Sequence, residues 1–366
     1  MRDAWDRAGP EGVPSDAPPS PASEVPRTWL GRMWAYGARQ SAVIWRKRKW
    51  PYDVRQFDPR VDFFGPRLGF HYIYHPEERL AHRETDERGF SIVHIGGRRR
   101  RQPTTHCHVA MHLFHRYLES HDEGLKAQFL HKADLLLEAR ERVTLGGTAC
   151  DAWFFRFEVP SYAPHPVPWI GCLAQSWAIS VLCRAHQVTG RQDFLDAAVG
   201  SMATYTVPVA DGGLRWTDPA GRAYYEKHPY PGKLRHVLNG FMSSLMGLYD
   251  LYRATGSEEA KRLFDDGVAT LACEDVLDRY DRGYISAYDQ APTRGALPSW
   301  PRYHFLHIRQ LLVLHRLTGL EVFRARAERW YAYTRDPVCR LRWMLESAAF
   351  RARNIPRYIR QTIRAP

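Results

Sequence analysis

The sequence has no apolar run long enough to cross a bilayer. Its opening stretch, MRDAWDRAGPEGVPSDAPPSPASEVP, is rich in proline and lacks the hydrophobic core of a secretory leader. Export and membrane spanning are therefore not expected. The reading is a cytoplasmic protein whose residues 1–27 form a disordered tail. The six cysteines, at 107, 150, 172, 183, 273 and 339, include no CxxC pair. That absence argues against zinc ribbons and dithiol redox motifs, and it predicts reduced thiols in a core. Zinc-finger spacing, an RNP box and heptads are missing too, so nucleic acid is not an expected partner despite a formal net charge of +12. An acidic polysaccharide and an anionic membrane surface remain as polyanionic partners.

With 44% apolar residues, the 366-residue chain can build a sizeable core. Its main pattern is repetition. HQVTGRQDFLDAA (186–198), YRATGSEEAKRLF (252–264) and HRLTGLEVFRARA (315–327) each close an apolar helix on Thr-Gly and open a second helix. YLESHDEGLKAQFL (117–130) is a fourth copy, turning on Ser-His-Asp. Glycine just past a helix end adopts positive φ without strain. HVLNGFMSSLMGLYDLY (236–252) reads as an inner helix buried nearly all round, with Gly240 and Gly247 permitting close packing.

The segments returning from each outer helix to the next inner one are long and aromatic, and loops of that length are usually functional. The predicted fold is all-α, an incomplete (α/α) toroid of helical hairpins, with small β-hairpins allowed in its loops. The predicted organisation is a tail (1–27), a basic N-terminal segment (28–67), the toroid (68–335) and a basic helical C-terminal tail (336–366). Both basic segments mix aromatics with arginine, leaving peripheral contact with an inner membrane as an open alternative.

Chemistry-bearing residues crowd the return segments. Tyrosines stand at 224, 225, 230, 280, 284, 288 and 303, beside arginines and histidines. A nearby cation can turn a phenol into a base, and Arg302, His304 and His307 lie close to Tyr303 in sequence. Tyr303 and His307, four residues apart, share one helix face. The run His106, Cys107, His108, His112 and His115 has ligand-like spacing but no carboxylate nearby, so packing is expected and no metal site. RRRR at 98–101 follows Gly-Gly and reads as a loop, either a solvated turn or an electrostatic guide for an acidic chain.

HVLNGFMSSLMGLYDLY, YDRGYISAYD, RYHFLHIRQL and PWIGCLAQSWAISVLCRAHQVTG occur in an order and spacing that resemble the C-terminal domain of D-glucuronyl C5-epimerases, the heparan sulfate and heparosan enzymes. The resemblance covers roughly residues 68–335. It implies a helical toroid and inversion at C5 of a glucuronate within a polymer, with no cofactor, and it suggests a homodimer. It puts Tyr303 and Tyr288 on catalytic tyrosines. The family's Glu-Glu-Tyr-Pro stretch becomes YYEKHPYPGKLRH here. Alignment on Pro229 brings Lys227 and His228 to the functional positions, and alignment on Pro231 brings Pro229 and Tyr230. His228, Tyr230 and Glu226 are thus the candidates for a second base. Trp169, Gln175, Asn239, Arg294, Arg302, His304 and His307 complete the expected substrate-binding set. A uronate lyase on the same fold and a non-catalytic acidic-glycan-binding protein are the alternatives.

Overall fold

Four helical hairpins follow one another along the chain. α1 (Pro103–Ser120) pairs with α2 (Glu123–Glu138), α3 (Cys172–Thr189) with α4 (Gln192–Met202), and α5 (Leu238–Thr255) with α6 (Glu258–Ala272). A one-turn helix, α7 (Glu274–Asp278), precedes the fourth hairpin of α8 (Pro301–Thr318) and α9 (Glu321–Arg335). The structure is a computed structural model that describes residues 83–95, 97–158, 167–290, 301–346 and 349, the side chains of 301 and 302 excepted. The boundaries expected at residues 27 and 67 lie outside the described residues, which all belong to one unit, residues 46–366.

Local chemistry sets the hairpin turns. Gly190, Gly256 and Gly319 follow α3, α5 and α8 with φ of 72°, 70° and 74°, as the Thr-Gly pattern predicts. The fourth turn uses His121 (φ 56°) in the same left-handed role, and Asp122 then caps α2 by accepting the Gly124 N–H at 2.7 Å. Ser257 caps α6 by accepting the Ala260 N–H at 3.2 Å.

The first helix of each hairpin forms an inner layer, packed in chain order α1, α3, α5, α8. The architecture is an incomplete α/α toroid. Every residue of α5 from Leu238 to Leu251 is buried, and α3 is buried almost throughout. The two meet closely at Gly247, where an added Cβ would stand 2.6 Å from the Ser176 carbonyl oxygen. Gly240 serves another purpose, described below. Within the α3–α5 contact, Arg184 and Asp250 form a bidentate ion pair at 2.7 and 3.2 Å, both side chains essentially without solvent.

Three short antiparallel hairpins decorate this frame: β1 (Ile92–Ile95) with β2 (Arg98–Arg101), β3 (Glu141–Leu145) with β4 (Thr148–Ala152), and β5 (Arg215–Thr217) with β6 (Ala223–Tyr225). The Arg98–Arg101 run is therefore a strand and not a loop. Its partner is the apolar IVHI, whose alternation a reading focused on the preceding glycines overlooks. The cysteines are all free; 107, 150, 172 and 183 are buried, whereas 273 and 339 are partly exposed and so are not core thiols. Beyond α9, residues 337–346 are helical. That helix packs on the 282–284 segment, with the Arg342 guanidinium over the Tyr284 ring and Glu346 bonded to Arg282. Its outward face carries Val338, Leu341 and Leu345.

Breaking the Arg184–Asp250 pair from one side leaves a buried charge uncompensated. Asp250→Ala is expected to lose about 3–5 kcal/mol in denaturant unfolding. The double change Arg184→Met with Asp250→Leu is expected to recover most of that loss.

Candidate active site

The inner helices run parallel, so their N-termini gather at one end, where described parts of the return segments meet. The segment before α5 is tied to the one before α8: Leu238 N–H donates to the Tyr288 carbonyl at 3.1 Å, and Gln290 N–H to the Arg235 carbonyl at 2.8 Å. Tyr280 OH donates to the His236 carbonyl at 2.7 Å, and Arg235 pairs with the buried Asp289. The segment also touches the start of α3, where Cys172 N–H donates to the Glu226 carbonyl at 3.0 Å.

Packing removes most of the expected tyrosines from chemistry. Tyr224, Tyr225 and Tyr280 are buried, and burial pushes each phenol above its ordinary pKa. Tyr225 OH is further committed to the Leu263 carbonyl at 2.6 Å. Tyr284 is buried beneath Arg282 and Arg342. Three remain half-exposed: Tyr230, Tyr288 and Tyr303. Tyr303 lies in the first turn of α8, and its ring meets Tyr288 edge to face, centroids 4.9 Å apart.

A residue that the sequence reading did not select completes this pair. Lys227 Nζ donates to Tyr288 OH at 2.8 Å and lies 5.4 Å from the ring centroid. Two glycines make room for its backbone and stem. A Cβ on Gly171, at the start of α3, would stand 2.5 Å from the Lys227 carbonyl oxygen. One on Gly240 would stand 2.9 Å from the Lys227 Cβ. Lys227 has no carboxylate partner among the described residues. The signal was present in the sequence, as a glycine in the first turn of an otherwise apolar inner helix.

The neighbouring candidates separate by direction. Glu226 is fully buried, its carboxylate held by His236 through Nδ1 at 2.5 Å and through the backbone N–H at 3.3 Å. It braces the loop, where His236 itself sits at φ 48°. His228 is buried against Trp169, ring centroids 5.4 Å apart, and Trp169 stacks on Phe155. Tyr230 is half-exposed, with the Lys233 ammonium 5.2 Å from its ring centroid.

Three residues expected to bind substrate are spent on the frame. Gln175 is fully buried, its amide exchanging bonds with the Trp153 backbone at 2.9 and 3.2 Å. His304 Nδ1 accepts the Ser286 N–H at 3.0 Å, so Nε2 carries the proton and donates to the Trp330 carbonyl at 3.0 Å. Ser286 Oγ lies 2.8 Å from His307 Nδ1, so His307 also holds the segment that carries Tyr288. Asn239 is buried, and its carbonyl accepts from Gln310 at 3.1 Å. Its own Oδ1 has no hydrogen-bond partner among the described residues, which leaves an acceptor in the first turn of α5. Arg294 and the Arg302 side chain lie outside the described residues. In the α1 histidine run, His106 is a packing residue: it accepts the Ser91 N–H, bonds to the Lys132 carbonyl and stacks on Phe90.

These buried histidines make the fold sensitive to acid. Burial pushes His304 down to about 4 and His106 to about 3, from 6.5, and holds His307 well below its ordinary value. The unfolded chain therefore binds more protons, and stability falls as pH drops below 6.5. His304 alone is expected to contribute about 3 kcal/mol that is lost between pH 6.5 and about 4. A flat guanidinium midpoint across that window would contradict it, and His304→Gln should show a shallower slope than the parent.

A family model described as the C-terminus of D-glucuronyl C5-epimerase matches residues 147–332, just over half of the chain. That span takes in both tyrosines, Lys227 and three of the four hairpins. The D-glucuronyl C5-epimerase of Caenorhabditis elegans is 32% identical over 184 residues, covering 46% of this chain and 29% of that protein. An uncharacterized protein of Methanocaldococcus jannaschii is 29% identical over 180 residues, 49% of this chain and 56% of its own length. The chain thus spans less than two thirds of either relative. Among solved structures, a cellobiose 2-epimerase from Bacillus thermoamylovorans aligns over 64% of this chain and 60% of its own, with a TM-score of 0.47 and 11% identity. By the family match across its helical hairpins and tyrosine-bearing segments, the chain belongs to the D-glucuronyl C5-epimerase C-terminal family.

Proposed function

We propose that this protein inverts C5 of a glucuronate residue within an acidic polysaccharide by removing the C5 proton from one face and returning one to the other. The observation that carries this reading is the Tyr288–Tyr303 pair with Lys227 hydrogen-bonded to the Tyr288 hydroxyl. A proton alpha to a carboxylate is weakly acidic, and its removal builds further negative charge on that carboxylate. Such a reaction needs two acid/base groups and positive charge held in place beforehand.

Tyr288 and Tyr303 touch edge to face, so a sugar ring cannot lie between them, and they act as one wall. An ammonium that donates to a phenol oxygen favours its deprotonated form, so Lys227 makes Tyr288 the base of that wall. Tyr303 carries a second exchangeable proton beside it. The group on the opposite sugar face is assigned to Tyr230, the half-exposed phenol of the same segment as Lys227. His228 is more enclosed and packs on Trp169. Glu226, turned inward to His236, supports the loop and takes no proton from substrate.

Incubation with heparosan and other uronic-acid polymers in D2O is expected to place deuterium at C5 and to produce iduronate-type signals by NMR. Tyr288→Phe and Tyr303→Phe should keep the fold and lower exchange by about a hundredfold or more. Tyr230→Phe should lower it more than His228→Ala does. Chain shortening with an ultraviolet-absorbing unsaturated product would instead indicate a lyase, and binding without exchange a non-catalytic glycan-binding protein.

Lys227→Met gives a separate test of the base. Without the ammonium the phenol holds its proton more tightly, so the rising limb of the pH–rate profile should move to higher pH. A uniform loss of rate with an unmoved profile would show that Lys227 only shapes the loop.

A further inference from the structure

The arginine run at 98–101 is not explained by the site described so far. In the β1–β2 register, Arg98 faces Ile95, Arg99 faces His94, Arg100 faces Val93 and Arg101 faces Ile92. Residues directly opposite one another share a face of the ribbon, and successive residues alternate. The four arginines therefore divide into two pairs. Arg99 is bonded to Glu84 at 3.0 Å and Arg101 to Asp86 at 2.6 Å. Glu84 also takes His94, so this face carries its own counter-charges.

Arg98 and Arg100 lie on the other face, with Val93 and Ile95. Among the described residues neither is paired with a carboxylate. Two unpaired cations on alternate residues stand roughly 6.6 Å apart along a strand and repel each other. Ile95, on the same face, packs on the cluster of Phe155, Phe157 and Trp169. Trp169 in turn contacts His228, the residue next to Lys227.

We infer that Arg98 and Arg100 form an anion-binding subsite that holds carboxylates of an acidic polysaccharide away from the reacting residue. This rests on the proposed function and extends it from a single uronate to a polymer. An arginine fork engages a carboxylate through two parallel N–H bonds, and a polyanion would relieve the repulsion that the free hairpin carries. The paired Arg99 and Arg101 serve as an internal control on the same strand.

The experiment compares the parent with three double variants: Arg98→Ser with Arg100→Ser, Arg98→Lys with Arg100→Lys, and Arg99→Ser with Arg101→Ser. Each is measured for binding to immobilised heparosan at several salt concentrations, and for C5 exchange on the polymer and on a short heparosan fragment. The double serine change at positions 98 and 100 is expected to weaken polymer binding about tenfold or more and to make its salt dependence shallower, with exchange on the fragment and the melting temperature unchanged. The double lysine variant should recover much of the affinity, and the variant at positions 99 and 101 should bind the polymer like the parent. Parental binding after the serine change at 98 and 100, or an equal loss after the change at 99 and 101, would overturn the subsite while fragment exchange left the proposed reaction standing. A parent that exchanges neither polymer nor fragment would remove both. Equal affinity of the parent for single-stranded DNA would overturn the polysaccharide assignment.

Discussion

The close approach of α3 and α5 is the constraint on which the rest depends. Gly247 lets the two backbones meet at Ser176, and the buried Arg184–Asp250 pair fills the same contact further along. A buried ion pair is a poor source of net stability, because desolvation cancels most of the attraction. Its value here is positional: either charge without the other is costly, so the two helices have one register. With that register set, the starts of both helices fall side by side, and the segment between β6 and α5 has a fixed floor to fold against.

That segment illustrates how adjacent residues take opposite tasks. Glu226 points inward and spends its carboxylate on His236, holding a non-glycine residue at positive φ. Lys227 rests its backbone on Gly171 and its side-chain stem on Gly240, and reaches the Tyr288 hydroxyl. From the far side, His304 and His307 grip Ser286 two residues before Tyr288, and their burial keeps them neutral. The phenol's segment is therefore held from both sides.

The hairpins were legible in the sequence because Thr-Gly after an apolar helix has a local physical cause, the left-handed cap. The tyrosine pair was legible through motif resemblance, at Tyr288 and Tyr303. What could not be read is which polar residues face the cleft. Tyr303 and His307 share a helical face by spacing, yet one meets a phenol and the other a serine from a segment whose path only the tertiary fold decides. Gln175, expected to bind substrate, is consumed by the Trp153 backbone just after β4. The contact of Lys227 with Tyr288 is not legible, because the space it needs is written in two glycines far apart in the chain.

An ammonium in contact with a phenol sets the electrostatics of the mouth. Lys227 donates to the Tyr288 hydroxyl and has no carboxylate partner among the described residues, whereas an acid in contact with the phenol would oppose its ionisation. The same sign holds on the β1–β2 ribbon, where Arg98 and Arg100 also lack acidic partners among the described residues. In a chain of net charge +12 whose other cations are so often paired, uncompensated charge beside the tyrosines is better matched to an anionic polymer than to a neutral sugar.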